Sequence, residues 1–256
     1  MKQSKDTDGP SEGRREPRIA PDAVASGDRD RTPAVRAPLA DLQHEDAQRE
    51  ATEGGDLLAR AAELARSGDL QEAAATYRNY LTGHPEEVPA RRGLASVLEQ
   101  RGDFVGALGE LGRALDAQPD DVSLLCARAA VNMALQRYDQ AEADLRRAMR
   151  LDADSPEVLF NLGMLFCKKA RWREAIEPLQ RAAERDPNSW QGHYYLGEAY
   201  NQTDQLKLAL AAYEEAVKLQ PTNYRALKGV GIVLDKLARP AEATAAYQRA
   251  REAQRR

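Results

Sequence analysis

The chain repeats its chemistry every 34 residues. Pro85 and Pro119 are separated by this interval, as are Pro187 and Pro221. Alanine recurs with the same period and without exception, at Ala73, Ala107, Ala141, Ala175, Ala209 and Ala243. A period of roughly 20 to 50 residues indicates stacked supersecondary units, each too small to bury its apolar face alone. The sequence therefore predicts an array of repeats that share one continuous core.

Two helices are predicted within each repeat. When the repeats are aligned, the eighth position is always alanine or glycine, and the twenty-fourth is always leucine or tyrosine. Residues at such offsets share one helical face, and the small ones let paired helices approach closely. Between the two apolar segments lie residues such as Gly68 and Asp69, which are suited to end one helix and cap the next. The aligned repeats are 54–87, 88–121, 122–155, 156–189, 190–223 and 224–256.

This pattern of small, large and proline positions resembles the tetratricopeptide repeat family, and the resemblance extends over residues 54–256. It implies an all-α fold, a right-handed superhelical solenoid of about six two-helix repeats, with the first helix of each pair on the concave face. Some residues depart from the family pattern. Arg60 and Arg128 replace the usual leucine at the seventh position, and Pro178 is expected to kink or shorten the second helix of the fourth repeat.

Residues 1–50 differ in composition from the rest of the chain. The first 40 residues contain five of the thirteen prolines, together with mixed charges and no aromatic side chain. Such a segment buries too little apolar surface to offset the entropy that it would lose on ordering. The sequence therefore predicts a disordered tail over residues 1–50, followed by the repeat array over residues 54–256.

Charge and composition argue against several functional classes. The formal net charge is -4 and no polybasic segment occurs, so nucleic acid is not predicted as a partner. No run of about 18 uncharged apolar residues occurs, and the first residues lack the apolar segment of a standard secretion signal. Cys126 and Cys167 lie far apart, without the spacing of metal ligands. We therefore expect a cytoplasmic protein that does not insert into membranes.

Sequence motifs for catalysis are not found. The chain contains no phosphate-binding loop, zinc-protease motif, nucleophile elbow or dinucleotide-binding fingerprint. Its three histidines, His44, His84 and His193, fall in separate parts of the repeat scheme. Because no nucleophile, base or metal set converges, the sequence predicts a protein that is not an enzyme and has no cofactor or metal.

The candidate site comes from the family resemblance, which places the concave face at the second, fifth, ninth, twelfth and thirteenth positions of each repeat. These positions are apolar in the middle of the array and polar towards its ends. Aromatic and sulfur-containing side chains on such a face are suited to adapt to the apolar anchors of a partner. Asn161 adds an asparagine at a sixth position. The candidate partner-binding residues are Arg92, Cys126, Met133, Phe160, Asn161, Met164, Tyr194, Glu198, Asn201 and Lys228.

Three hypotheses follow for the function. The first is an adaptor or scaffold that binds an extended or helical segment of another protein in the concave groove. The second is a structural scaffold that self-associates into a homo-oligomer. The third is a regulatory or assembly subunit of a separately encoded enzyme. The sequence favours the first hypothesis, because the apolar stripe lies on the predicted concave face.

Overall fold

The computed structural model describes residues 55–255, and the predicted tail over residues 1–50 lies outside them. The described part contains helices and no strand, so the predicted all-α fold class is confirmed. The first helix, α1, is described over residues 55–67. The others are α2 (Leu70–Gly83), α3 (Val88–Gln100), α4 (Phe104–Ala117), α5 (Val122–Ala134), α6 (Tyr138–Leu151), α7 (Pro156–Lys168), α8 (Trp172–Arg185), α9 (Trp190–Gln202), α10 (Leu206–Leu219), α11 (Tyr224–Lys236) and α12 (Pro240–Gln254).

Consecutive helices pack as antiparallel hairpins that repeat along the chain. From α3 onwards, the first helix of each hairpin begins 34 residues after the previous one, at Val88, Val122, Pro156, Trp190 and Tyr224. The strongest contacts join the two helices of one hairpin, and the next strongest join one hairpin to its successor. The array therefore has the predicted solenoid form. The outer boundaries at residues 54 and 256 fall just outside the described range and stay predictions.

The turn inside each hairpin places one residue in the left-handed region of backbone conformation. Glycine occupies this position in the first two hairpins, with φ of 88° at Gly68 and 80° at Gly102. The equivalent residues of the other four hairpins also have positive φ, although they have side chains: Gln136, Ala170, Asp204 and Ala238. After the turn, Asp69 and Asp103 each accept a hydrogen bond from the backbone N–H three residues later and so cap α2 and α4.

The recurring alanine of each second helix lies in the core. All six of these alanines are buried, with at most 1% of their surface exposed. Leucines from both helices of a hairpin fill the space around them, for example Leu94, Leu145 and Leu179. The small side chain allows close helix contact and the large ones fill the remaining volume, as the periodicity predicts.

Two departures from the family pattern are accommodated within their hairpins. Pro178 does not shorten α8, which has fourteen residues like α6 and α10. Its side chain is buried. Arg128 forms a bidentate ion pair with Asp144, at 2.9 Å from Nε and 2.6 Å from Nη2. A charged pair between α5 and α6 thus replaces the apolar contact that leucine makes in the family pattern.

The two sides of the array differ in how closely its helices approach. Among the first helices, α5 contacts α7, α7 contacts α9, and α9 contacts α11. Within residues 55–255, no two successive second helices make a comparable contact. The spacing is therefore tighter on the side of the first helices, which is the inner side of a curved array. We call the surface formed by the five predicted positions of α3, α5, α7, α9 and α11 the groove face.

Candidate functional site

An aromatic cluster lies at the groove face on α7 and α9 and includes Tyr195, which is outside the five predicted positions. The rings of Phe160 and Tyr195 meet edge to face, with centroids 5.8 Å apart. Tyr194 and Tyr195 also meet edge to face, with a centroid distance of 5.2 Å. All three side chains are half-buried, so each ring is supported by the core and still has exposed surface. Aromatic pairs in this geometry are favourable beyond the area that they bury.

Tyr213 supports this cluster from behind. It belongs to the second helix α10, is buried, and its ring centroid lies 5.9 Å from that of Tyr194. The ring fits between α9 and α11, because both helices have glycine where they face it. A Cβ atom on Gly197 would lie 2.8 Å from Cδ1 of the tyrosine, and one on Gly229 would lie 2.7 Å from Cε1 and Cζ. The position of Tyr194 on the groove face therefore depends on an outer helix.

Burial in this cluster changes the acid–base properties of its polar groups. Loss of hydration and the neighbouring Glu198 charge raise the pKa of Tyr194 to about 12. Burial also raises the pKa of Glu198, although Lys168 and Arg225 act in the opposite direction. The Glu198 carboxylate is half-buried and forms no ion pair or side-chain hydrogen bond within residues 55–255. A hydrogen-bond donor from a bound partner protein would compensate this carboxylate for the hydration that it lost on folding.

Charged side chains of the groove face form no ion pairs within residues 55–255, although Asp235 and Lys236 hydrogen-bond to Tyr247 and Asn201. Elsewhere, ion pairs connect helices, as between Arg91 and Glu110 at 2.8 Å. The charged residues of the groove face are Arg92, Glu99, Glu157, Lys168, Glu198, Arg225, Lys228, Asp235 and Lys236.

Two cavities lie at equivalent places along the groove face. One has a volume of about 460 Å³ and is lined by Glu157 and Phe160 from α7, with Gln191 from α9. The other has a volume of about 400 Å³ and lies two repeats earlier, where Arg92 takes the place of Phe160. Both are clefts between one hairpin and the next, of a size that admits a side chain of a bound segment.

Seven of the ten predicted partner-binding residues have accessible surface. Arg92 and Lys228 are exposed, while Phe160, Met164, Tyr194, Glu198 and Asn201 are half-buried. Asn201 accepts a hydrogen bond from Lys236 Nζ at 2.8 Å.

The other three predicted residues, Cys126, Met133 and Asn161, are buried and have almost no surface to offer a partner. Cys126 is covered because α7 packs against α5 and brings Asn161 and Glu157 close to the thiol. The Asn161 amide does not face a partner; it donates a hydrogen bond from Nδ2 to the backbone carbonyl of Glu157 at 2.9 Å. Among the ten predicted residues, the accessible apolar side chains therefore lie on α7 and α9.

Sequence reasoning missed two residues of the site, Tyr195 and Tyr213. Tyr195 is at a sixth position, which the family pattern does not assign to the concave face. Tyr213 is on a second helix, and only the glycines at 197 and 229 signal that its ring passes between first helices. Glu157 was at a predicted groove position, but its place in a cavity depends on α8 and α9 as well as on its own helix.

Comparison with protein families agrees with this architecture. Models described as "Tetratricopeptide repeat" match residues 64–129, 166–224 and 203–255, which together make up more than half of the chain. The chain belongs to the tetratricopeptide repeat family. A model described as "Coatomer epsilon subunit" is also similar to residues 115–178 of this tetratricopeptide repeat protein. No curated protein matches the chain.

Solved structures of other tetratricopeptide repeat proteins have a similar fold. The crystal structure of MamA is 25% identical, with a TM-score of 0.55, and the match covers 63% of this chain and 95% of MamA. A tetratricopeptide repeat protein from Parabacteroides merdae is 19% identical with a TM-score of 0.66, covering 83% of this chain and 82% of the other. YrrB, titled a protein with an unusual peptide-binding site, is 18% identical with a TM-score of 0.53, covering 71% and 93%.

None of the helices within residues 55–255 combines the length and apolar composition that crossing a lipid bilayer requires. In the same residues, no group of three or more His, Cys, Asp and Glu side chains is arranged to hold a metal ion.

Proposed function

We propose that the protein is a non-catalytic adaptor or scaffold, and that its groove face binds an extended or helical segment of another protein. The observation that carries the proposal is the aromatic cluster of Phe160, Tyr194 and Tyr195, half-buried on the inner side of the array. Large aromatic side chains with a rigid support are typical anchors of protein interfaces. The unpaired charges on the same face would supply the polar rim that surrounds such anchors.

The proposed mode of binding uses side chains that are already held in position in the unbound protein. Tyr213 fixes Tyr194 from behind, and Phe160 and Tyr195 restrain each other, so little side-chain freedom is lost when a partner arrives. Met164 lies on α7 four residues after Phe160, is partly buried, and has a flexible side chain that adapts to partner residues of different shapes. The neighbouring YrrB fold, whose title names a peptide-binding site, is compatible with this proposal.

The proposal assigns no catalytic role and places the protein in the cytoplasm. Burial raises the pKa of the Cys126 thiol and of the Cys167 thiol to about 12, so both are protonated at neutral pH and unsuited to nucleophilic chemistry. The cytoplasmic location rests on the composition of the sequence. Fractionation of the native host followed by immunoblotting would test it.

The test of the groove compares a triple variant of groove-face residues with a triple variant of exposed apolar residues elsewhere. The groove variant combines Phe160→Ala, Met164→Ala and Tyr194→Ala. The control variant combines Val105→Ala, Leu151→Ala and Leu208→Ala, which are exposed apolar residues on second helices. A partner is first captured with the wild-type chain, and its binding segment is then titrated against all three proteins. We expect the groove variant to bind at least about a hundredfold more weakly and the control to bind normally.

Other outcomes of this experiment would favour the alternatives. Equal binding by both variants would remove the groove face as the site. A molar mass that rises with concentration in light scattering, without any partner, would instead support a self-associating scaffold. Capture of an enzyme whose activity changes on binding would support the role of a regulatory or assembly subunit.

A further inference from the structure

The larger of the two groove cavities has an unbalanced charge. It is bounded by the first turn of α7, the end of α8 and the first turn of α9, and its volume is about 460 Å³. Its charged lining residues are Glu157 and Asp186, both carboxylates. No lysine, arginine or histidine lines it among the described residues, and neither carboxylate forms an ion pair there.

The helix ends do not compensate this charge. The starts of α7 and α9 bring partial positive charges, and the end of α8 brings a partial negative charge, each about half a unit. The hydroxyl of Ser189 accepts the Gly192 N–H at the start of α9, which satisfies one donor of that helix end. Two full carboxylate charges therefore exceed the positive partial charges, and the cavity stays negative.

The walls of the cavity are suited to a long side chain that ends in a cation. The ring of Phe160, with Pro156 and Ala182, gives an apolar lining beside the two carboxylates. Lysine and arginine place an alkyl stem against apolar surface while the charged end reaches a polar group. An arginine can also stack its guanidinium group on an aromatic ring.

The equivalent cavity two repeats earlier provides a comparison within the same chain. Arg92 occupies the position of Phe160, and Pro89 that of Glu157. Its one carboxylate, Asp121, already accepts the Leu124 N–H at the start of α5. The earlier cavity thus has balanced charge and no aromatic wall, in contrast to the cavity at the junction of α7, α8 and α9.

We propose that the cavity formed by Glu157, Phe160 and Asp186 receives a lysine or arginine side chain of the partner segment bound in the groove. This inference rests on the proposed function and adds the chemical class of the partner: a segment with a basic residue next to apolar ones. The basic side chain enters the cavity while apolar neighbours contact Tyr194 and Tyr195. Partial loss of hydration raises the pKa of the Glu157 carboxyl against the opposing effects of Ser123 and Arg92, so a cation bound in the cavity would favour its ionised form.

The test measures the residue preference of the full chain with defined peptides. Fluorophore-labelled protein is titrated against pools of acetylated, amidated heptapeptides in which the central residue is fixed as Arg, Lys, Gln, Leu or Glu and the others are randomised. We expect the Arg and Lys pools to bind wild type at least about tenfold more tightly than the Gln pool. Glu157→Gln should remove most of this preference, and Glu157→Lys should shift it towards the Glu pool.

Glu99→Gln is the matched control for charge. Glu99 is an exposed carboxylate of the groove face that does not line the cavity, so its replacement changes the net charge by the same amount. Asp186→Asn is a second variant at the cavity and keeps the oxygen that accepts the Asn188 N–H. Circular dichroism establishes that each variant is folded before its binding is compared.

The possible failures separate the two proposals. If wild type binds the pools without a preference for basic residues, or if Glu99→Gln weakens the preference as much as Glu157→Gln, the basic-residue cavity is disproved and groove binding survives. If wild type binds no pool, or if the groove triple variant binds as well as wild type, the proposed function fails and the inference fails with it.

Discussion

A methyl group on Gly229 would lie 2.7 Å from two atoms of the Tyr213 ring, closer than carbon atoms approach in folded proteins. The ring has no free side to move towards, because Gly197 on the neighbouring helix faces it at a similar distance. Tyrosine at the twenty-fourth position of one repeat thus requires glycine at the sixth position of the next. Tyr77 and Gly93 make the same contact near the start of the array.

Gly229→Ala is therefore expected to destabilise the array. Alanine is the better helix former by about 1 kcal/mol, but overpacking against a ring held on both sides costs about 1–3 kcal/mol and outweighs this gain. Gly109→Ala is the control, since an added Cβ there meets no atom within 4 Å. In chemical denaturation, Gly229→Ala should lower the free energy of unfolding and Gly109→Ala should raise it. Changes of the same sign would contradict this account of the contact between Tyr213 and Gly229.

The left-handed turn residues predict a stabilising substitution. Ala170 and Ala238 are exposed and have φ of 54° and 57°, a conformation that costs a residue with a side chain about 1–2 kcal/mol. Glycine avoids this cost but loses more entropy on folding, by about 0.5–1 kcal/mol. We expect Ala170→Gly and Ala238→Gly each to raise the free energy of unfolding by up to about 1 kcal/mol. Ala245→Gly, at an exposed position inside α12, should lower it by about the same amount.

Two carboxylates should affect stability in opposite directions as the pH changes. Burial raises the pKa of Glu198 above its ordinary value, so its ionised form opposes folding. Glu198→Gln should therefore stabilise the array at neutral pH, and this gain should disappear as the pH falls through the raised pKa, where wild-type Glu198 becomes protonated. Loss of partner binding is expected in the same variant.

Glu142 provides the opposite case. It accepts a hydrogen bond from Lys169 Nζ at 2.8 Å, which lowers the pKa of its carboxyl. Its ionised form supports folding, so Glu142→Gln should lower the free energy of unfolding by about 1 kcal/mol at neutral pH. This difference between variant and wild type should shrink as the pH falls below the ordinary pKa of glutamate and through the lowered pKa of Glu142. Unfolding curves of both variants at several pH values test this, and equal effects at neutral pH would contradict it.

The sequence by itself determined the class and the organisation of the fold. The 34-residue period, the invariant alanines and the alternating small and large positions correspond to hairpins with the same starting interval and the same buried residues. The prediction succeeds because the signal is local: the helices, turn and cap of each hairpin are specified by residues within a single 34-residue period. Asp69 and Asp103, for example, act on backbone only three residues away.

Only the tertiary structure decided which groove residues are accessible. Cys126 and Phe160 hold the same fifth position in successive repeats, yet the thiol is fully buried and the ring is only half-buried. The difference arises because α7 packs against α5 and covers Cys126, whereas Phe160 meets Tyr195 of α9 edge to face and keeps part of its ring accessible in the groove. Likewise, Glu157 and Asp186 share a cavity because three helices meet there. Such contacts depend on how large side chains from different repeats fit together, which the period of one chain does not encode.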